Sequence, residues 1–405
     1  MRICIVYDCL FPYTIGGGER WYRSLAERLA AEGHEVTYLT LRQWDRGAQL
    51  DLDERVRVVA VGPRMALYTE SGRRRILPPL LFGLGVLGHL FRHGRRYEVL
   101  HACAFPYFSL LAAALLRRAR GYSLEVDWFE VWSDSYWRDY LGGLGGRIGG
   151  LVQRLCARVR QRAFCFSELH AARLRGEGLN GTVTVLRGLY AEQAEPVSPQ
   201  LAAESAAPQP LVLFVGRLIA EKQTTLGVAA IALAAEQIGE LRGEFLGDGP
   251  EREALALAIA EHELQGRVSA PGFAAAEIVD GELRRATCML LPSRREGYGM
   301  VVVEAAARGT PSVVLAGEDN AATELIEEGV NGTIAPSSDP QALAEAIVRV
   351  HRAGAAMRER TAAWFARSAE QLSLESSLAV VLAGYTPSGA RRPAQAAPDS
   401  AARVP

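Results

Sequence analysis

The chain has 405 residues, enough for two domains with separate cores, and its 49% hydrophobic and 22% charged content at a mean hydropathy of +0.03 is that of a globular protein. The net charge of −1 hides an asymmetry, because residues 1–190 hold 27 basic against 18 acidic side chains and the remainder 18 against 28. A basic first half could meet an anionic membrane surface or an acidic acceptor, whereas arginines scattered over several helical stretches argue against nucleic acid.

From the N-terminus, Ile3 to Tyr7 reads as a buried parallel strand. The loop from Asp8 through Gly16-Gly17-Gly18 leads into a helix from Glu19 to Ala31 with a stripe at Trp21, Leu25 and Leu29. Val36 to Thr40 and Val56 to Val61 are the next strands. Strand, glycine-rich turn and helix in that order open a doubly wound domain, whose ligands bind beyond the carboxyl ends of the strands. Asp51-Leu52-Asp53 lies in an early loop and reads as surface charge.

Leu77 to Leu90 is strongly apolar between Arg73-Arg74-Arg75 and Arg92, Arg95 and Arg96. It is too short for a span of about 20 residues. The expectation is a helix packed on the sheet; the second reading is a membrane-surface helix, which would bring peripheral membrane contact. His101 is expected at the end of the strand Val99 to Ala102, and a helix from Tyr107 to Arg117 leads to the strand Ser123 to Asp127.

An aromatic and acidic cluster follows: Asp127, Trp128, Phe129, Glu130, Trp132, Asp134, Tyr136, Trp137 and Tyr140. Such rings suit stacking on sugars, with carboxylates to accept hydroxyl hydrogen bonds. Gly142 to Gly150 is expected to break the helical pattern, and Ala191 to Pro210, rich in Ala, Pro, Glu and Gln, reads as a linker.

A second run of strand–helix alternation starts at Leu211 to Val215. It carries Gly216-Arg217-Leu218, Glu221-Lys222 and Gly247-Asp248-Gly249-Pro250, and a strand at Cys288 to Leu291. Helices are expected at Ala321 to Glu328, at Pro340 to Arg352 and near Ala362 to Gly384. Lys222 is the single lysine among 45 basic residues, a compact ammonium where every other cation is a planar fork. Cys4, Cys9, Cys103, Cys156, Cys165 and Cys288 show neither metal-ligand nor disulfide-scaffold spacing, and the start lacks the apolar run of a signal peptide, so a cytoplasmic address is expected.

The stretch Glu296-Gly-Tyr-Gly-Met-Val-Val-Val-Glu304 reads as a loop that becomes helical after Gly299, with Val301, Val302 and Ala305 on one face. Gly297 and Gly299 let backbone approach a ligand, and the helix start favours an anion. The two carboxylates stand at different depths, so one faces the reacting centre and the other reaches further along the ligand.

With Gly16-Gly17-Gly18-Glu19, Gly216-Arg217-Leu218, Lys222, Gly247-Asp248-Gly249 and Glu296 through Glu304 in this order and spacing, the chain resembles the retaining nucleotide-sugar glycosyltransferases of family 4 (glycosyl transferases group 1). The resemblance covers most of residues 1–365. It implies an α/β GT-B fold: two Rossmann-like doubly wound domains facing a central cleft. The expected layout is an acceptor-side domain 1–190, a linker 191–210, a nucleotide-sugar domain 211–365, a helical segment 366–386 returning to the first domain, and a disordered tail 387–405.

The resemblance further implies a metal-independent, retaining hexosyl transfer from a UDP-sugar or GDP-sugar to a small-molecule (natural-product) or glycan acceptor, with no cofactor. Glu296, Arg217 and Lys222 would serve the reacting centre and diphosphate. Gly17, Gly18, Gly216, Phe273, Gly297, Tyr298, Gly299, Met300, Val301 and Glu304 would bind the donor, Glu304 by the ribose hydroxyls. Trp21, His101, Asp127, Trp128, Phe129, Glu130 and Trp132 are the acceptor or sugar candidates. Much of the family has a histidine where this chain has Phe129, so either Asp127, Glu130 or His101 makes that sugar contact, or the donor lacks the hydroxyl it would hold. Two alternatives stay open: a GT-B nucleotide-sugar epimerase, against which the missing histidine counts, and a non-catalytic sugar-nucleotide-binding protein. At the membrane, its place would be the inner face.

Overall fold

The structure, a computed structural model, describes residues 1–45, 47–69, 74–191 and 195–385. Two parallel sheets face each other. The first is built from β1 (Arg2–Val6), β2 (Glu35–Leu41), β3 (Val56–Gly62), β4 (Val99–Cys103), β5 (Ser123–Trp128), β6 (Gln161–Cys165) and β7 (Gly181–Val185), in the order β3-β2-β1-β4-β5-β6-β7. Between them run α1 (Gly17–Ala31), α2 (Leu77–His93), α3 (Tyr107–Arg120), α4 (Asp134–Ala157) and α5 (Glu168–Gly176). β1 beyond Arg2 and all of β4 are buried, which is why they read as largely apolar runs, whereas β5 alternates in sequence yet buries Glu125 and Asp127 as well.

After α6 (Pro199–Glu204) the second sheet forms from β8 (Leu211–Val215), β9 (Arg242–Leu246), β10 (Val268–Gly272) and β11 (Cys288–Leu291), with α7 (Thr224–Ile238), α8 (Arg252–Glu261) and α9 (Ala276–Arg285) as crossovers. A two-strand bridge joins β12 (Arg295–Glu296) to β14 (Asp319–Asn320), with α10 (Met300–Ala307) and β13 (Ser312–Leu315) between them, and β15 (Gly332–Ala335) completes the sheet. Its order is β10-β9-β8-β11-β13-β15. α11 (Pro340–Leu372), capped by the Asp339 side chain and broken at Gly354, packs along this domain. α12 (Leu374–Gly384) returns to the first sheet, where Tyr385 lies against His101 at 2.6 Å from its Nδ1.

Strand order decides where ligands can sit. It reverses between β1 and β4 in the first sheet and between β8 and β11 in the second, so the loops after these strands open into a crevice. Those loops carry Gly16-Gly17-Gly18, Arg217, Lys222 and Glu296.

Several local expectations give way to packing. The glycines at 142–150 do not end the helix: α4 continues to Ala157 with one non-helical residue, Gly142 (φ 77°, ψ 179°). The stretch 191–210 is not a bare linker, because α6 buries Ala202 against α11 and the Val197 N–H bonds the Ala307 carbonyl. Ala321–Leu325 is a short 3-10 turn rather than a helix, and the segments 340–352 and 362–384 belong to α11 and α12. The tail 387–405 and Arg73 lie outside the described residues. All six cysteines are buried thiols.

Candidate active site

β8 ends at Val215, and the chain turns through Gly216 and Arg217 into a 3-10 turn at Ala220–Lys222. Arg217 stands exposed on this turn, while Lys222 is drawn inward and pairs with the Glu296 carboxylate. Glu296 arrives from the neighbouring switch-point strand through β12, whose pairing of Glu296 with Asn320 holds its backbone. One cation and one carboxylate, 74 residues apart, are thereby fixed at the mouth of the same crevice.

α10 follows at once. Its N-cap is Gly299 at φ 102°, a left-handed conformation that costs a side-chain-bearing residue, and no side chain caps the helix start. The free N–H groups of Met300 and Val301 and the positive end of the helix dipole are therefore available to an anion. Glu304 is one turn further in. Burial pushes its carboxyl above the usual range, opposed by Arg20, 3.9 Å away on α1, and by Arg308.

The facing wall comes from the first domain. A Cβ on Gly17 would meet the Met300 sulfur at 2.9 Å, and one on Gly297 would meet the Phe129 carbonyl at 2.6 Å, so the two walls touch. Phe129 stacks on Phe166 (centroids 4.7 Å apart) and borders Gly18. Glu130 pairs with Arg295 and accepts from Trp132 Nε1 at 2.7 Å, while the Arg295 guanidinium lies over the rings of Trp132 (5.0 Å) and Tyr136 (4.6 Å).

The acceptor candidates divide. Phe129, Glu130 and Trp132 line the crevice. Trp21, Trp128, His101 and Asp127 do not: Trp21 is 1% exposed and the other three 0%. His101 sits inside β4 rather than at its end, with Nε2 2.9 Å from Asp127, whose other oxygen accepts from Trp21 Nε1 at 2.7 Å. Trp128 Nε1 donates to Gln161 at 2.8 Å. These groups pack on one another inside the domain, with His101 Nε2 and Asp127 Oδ1 close but without an aligned hydrogen bond, and an acceptor could reach them only by unpacking it. On the donor side, Phe273 stands 76% exposed on the rim after β10, and the Tyr298 hydroxyl turns away to the Arg187 carbonyl, leaving only its backbone in the crevice.

Three groups escaped the sequence reading. Arg295 adjoins Glu296, but nothing in its local sequence sets it apart from the other arginines. His170, on α5, accepts the Val131 N–H through Nδ1 (3.1 Å) and presents Nε2 to the Glu296 carbonyl (3.4 Å), joining both walls. Arg74 pairs with the buried Asp8 at the end of β1, its guanidinium over Phe105 (5.2 Å) and Tyr68 (5.7 Å). In each case the partner lies far off in sequence, so no spacing rule could have found it.

Comparisons with known proteins agree with this architecture. The family profile of glycosyl transferases group 1 matches residues 201–363 and that of a glycosyl transferase 4-like domain residues 16–188. Alpha-D-kanosaminyltransferase of Streptomyces kanamyceticus is 32% identical over 142 residues, covering 35% of this chain and 36% of that protein. The 2-deoxystreptamine N-acetyl-D-glucosaminyltransferase of Niallia circulans is 30% identical over 139 residues, 34% and 35% of the two chains. The matched stretch thus spans about a third of each relative. Among solved structures, sucrose-phosphate synthase from Thermosynechococcus elongatus superposes with a TM-score of 0.74 over 95% of this chain and 98% of that one at 20% identity. HepE of Anabaena, in complex with UDP, gives 0.69 over 95% and 99% at 17%. With the two profiles covering both halves and the fold shared from end to end, the chain belongs to the group 1 glycosyltransferases and has the GT-B fold.

Proposed function

We propose that the protein transfers a glycosyl group from a nucleoside-diphosphate sugar to an acceptor hydroxyl, with retention of configuration and without a metal. The observation that carries this reading is the Lys222–Glu296 pair beside Arg217 and the uncapped start of α10, at the switch point of the second sheet. Breaking the bond between the anomeric carbon and the diphosphate leaves negative charge on a phosphate oxygen. Lys222, Arg217 and the α10 N–H groups are disposed to stabilise it. Lys222 pairs with Glu296; a diphosphate would take over the ammonium and leave the carboxylate facing the positive charge that grows at the anomeric carbon.

The acceptor oxygen then bonds that carbon on the face the diphosphate leaves, and the departing phosphate oxygen takes the acceptor proton. A carboxylate paired with Lys222 suits positioning and charge stabilisation rather than nucleophilic attack. Glu304, whose family counterpart holds the ribose, is at the right depth for the donor's hydroxyls. Phe129, backed by the buried Phe166, offers the donor sugar an apolar edge, which favours a sugar without a hydroxyl there. The acceptor reading is a natural product or a glycan, approached past Glu130 and Trp132.

Calorimetric titration with UDP, GDP, ADP and dTDP, in chelator, tests the donor half. One ribonucleoside diphosphate should bind, and Lys222→Ala should abolish the heat. Lys222→Ala and Glu296→Ala should each lower kcat by about a hundredfold, as loss of a transition-state contact does. Parent-like turnover in both variants would refute the site, and binding that needs added Mg²⁺ would refute metal independence.

A further inference from the structure

The outer face of the first domain is apolar where a water-exposed surface should be polar. β3→β4, β4→β5 and β5→β6 all step in the same direction across the sheet, so right-handed crossovers place α2, α3 and α4 side by side on one face. On α2, Leu77, Leu80, Leu84 and Phe91 are exposed. On α4, so are Leu144, Ile148, Leu151 and Leu155, and Leu115 of α3 stands 72% exposed between them. Spacings of three, four and seven make each set a stripe at helical period. These are the outward stripes of helices whose inward ones already cover the sheet.

Gly142 shapes this face. It folds α4 into two antiparallel limbs, bringing Gly146, Gly149 and Gly150 of the second limb against Trp137, Arg138 and Asp134 of the first. Leu141 and Leu144 are left at an exposed tip. The first limb flanks the crevice: Tyr140 accepts the Arg74 N–H at 3.0 Å, and Asp139 meets Arg294 at 3.3 Å.

Charge says what covers the face. α2, the turn Gly94–Arg96 behind it, α3 and α4 carry nine arginines (Arg92, Arg95, Arg96, Arg117, Arg118, Arg120, Arg138, Arg147 and Arg154) against two acids, Asp134 and Asp139. Among the described residues no carboxylate pairs with Arg95, Arg96, Arg118 or Arg147. A two-fold contact with a second copy would press this arginine field against itself. No helix of the described residues is long and apolar enough to cross a membrane.

We propose that the α2–α3–α4 face docks the protein onto an anionic phospholipid bilayer, the apolar stripes entering the headgroup boundary and the arginines meeting lipid phosphates. The α4 tip and the start of α2 then hold the crevice mouth at the lipid surface. Resting on the transferase reading above, this geometry suits an acceptor carried by the membrane.

Co-sedimentation of the full chain with phosphatidylcholine vesicles, plain or with about a third phosphatidylglycerol, tests it. Binding to the anionic vesicles should exceed that to the neutral ones by about tenfold and weaken with salt. Leu144→Glu with Ile148→Glu should remove it, and Arg95→Ser and Arg96→Ser should weaken it about fivefold each. Circular dichroism and nucleotide affinity should be unchanged in all of them. Equal binding to both vesicles, or glutamate variants that still bind, would overturn the proposal. So would a dimer that Leu144→Glu dissociates while vesicles bind nothing. A parent that binds nucleotide but no vesicle fails this inference alone; one that binds vesicles but no nucleotide fails the donor reading alone.

Discussion

His170 shows how one buried group can hold a catalytic loop in place. Its Nδ1 accepts a backbone N–H, so the neutral ring carries its proton on Nε2, facing the Glu296 carbonyl. Burial, with Arg173 adding to it, lowers its pKa from 6.5 to about 4. The unfolded chain therefore takes up this proton first as pH falls. Stability supplied by His170 is complete above about pH 6.5 and is lost toward pH 4, at about 1.4 kcal/mol per unit. His170→Gln keeps a polar side chain without the titration. Urea unfolding of parent and variant should show the parent's advantage shrinking by about 2 kcal/mol between about pH 7 and pH 5. A difference independent of pH would mean that the ring is not held neutral.

α4 is the element whose role was least visible in the sequence. Six glycines between 142 and 150 look like a break, because glycine is a poor helix former. Here their lack of a side chain is what lets the two limbs meet: a Cβ on Gly149 would sit 2.4 Å from the Trp137 ring, and Trp137 supports Trp132 at 4.5 Å. Gly149→Ala should therefore destabilise by about 1–3 kcal/mol, where Gly143→Ala, with nothing within 4 Å of its Cβ, should gain up to about 1 kcal/mol. Urea midpoints of the two variants moving together would sink this account. The strands and the Glu296–Glu304 unit were legible because burial on both faces and a loop-to-helix change are written locally. Trp128 was misplaced because a dense aromatic sequence does not say which rings face the core, and Trp21 although it lay on the apolar stripe of α1; both are settled by distant partners, Gln161 of β6 for Trp128 and Asp127 of β5 for Trp21.

At the scale of the whole molecule, polar groups cross the crevice beside a buried apolar cluster that joins Phe166 and Leu189 of the first domain to Tyr298, Val302 and Leu325 of the second. Arg295 crosses it to Glu130, Trp132 and Tyr136, the Tyr136 hydroxyl donates to Glu221 at 2.8 Å, and Asp319 accepts from Ser133 Oγ at 2.8 Å and pairs with Arg173. Glu324 accepts the Glu168 and Leu169 N–H groups at 2.8 and 2.7 Å, meeting the start of α5 from the opposite domain. Such contacts can exchange for water, so we predict that the domains open about the chain crossing where the Tyr190 N–H bonds the Leu372 carbonyl and the Leu374 N–H the Tyr190 carbonyl. Arg295 is the contact nearest Glu296, and both it and Glu130 are mostly shielded from solvent, so its removal should cost about 2 kcal/mol, below the range for a fully buried pair. That is roughly a thirtyfold shift toward the open form. Arg295→Ala should then enlarge the radius of gyration in small-angle scattering without nucleotide, recover the parent's profile with the cognate nucleoside diphosphate, and raise the donor KM more than it lowers kcat. If the scattering profile stays that of the parent in both states, Asp319 and Glu324 hold the domains together without Arg295, and a variant of Asp319 should open the crevice instead.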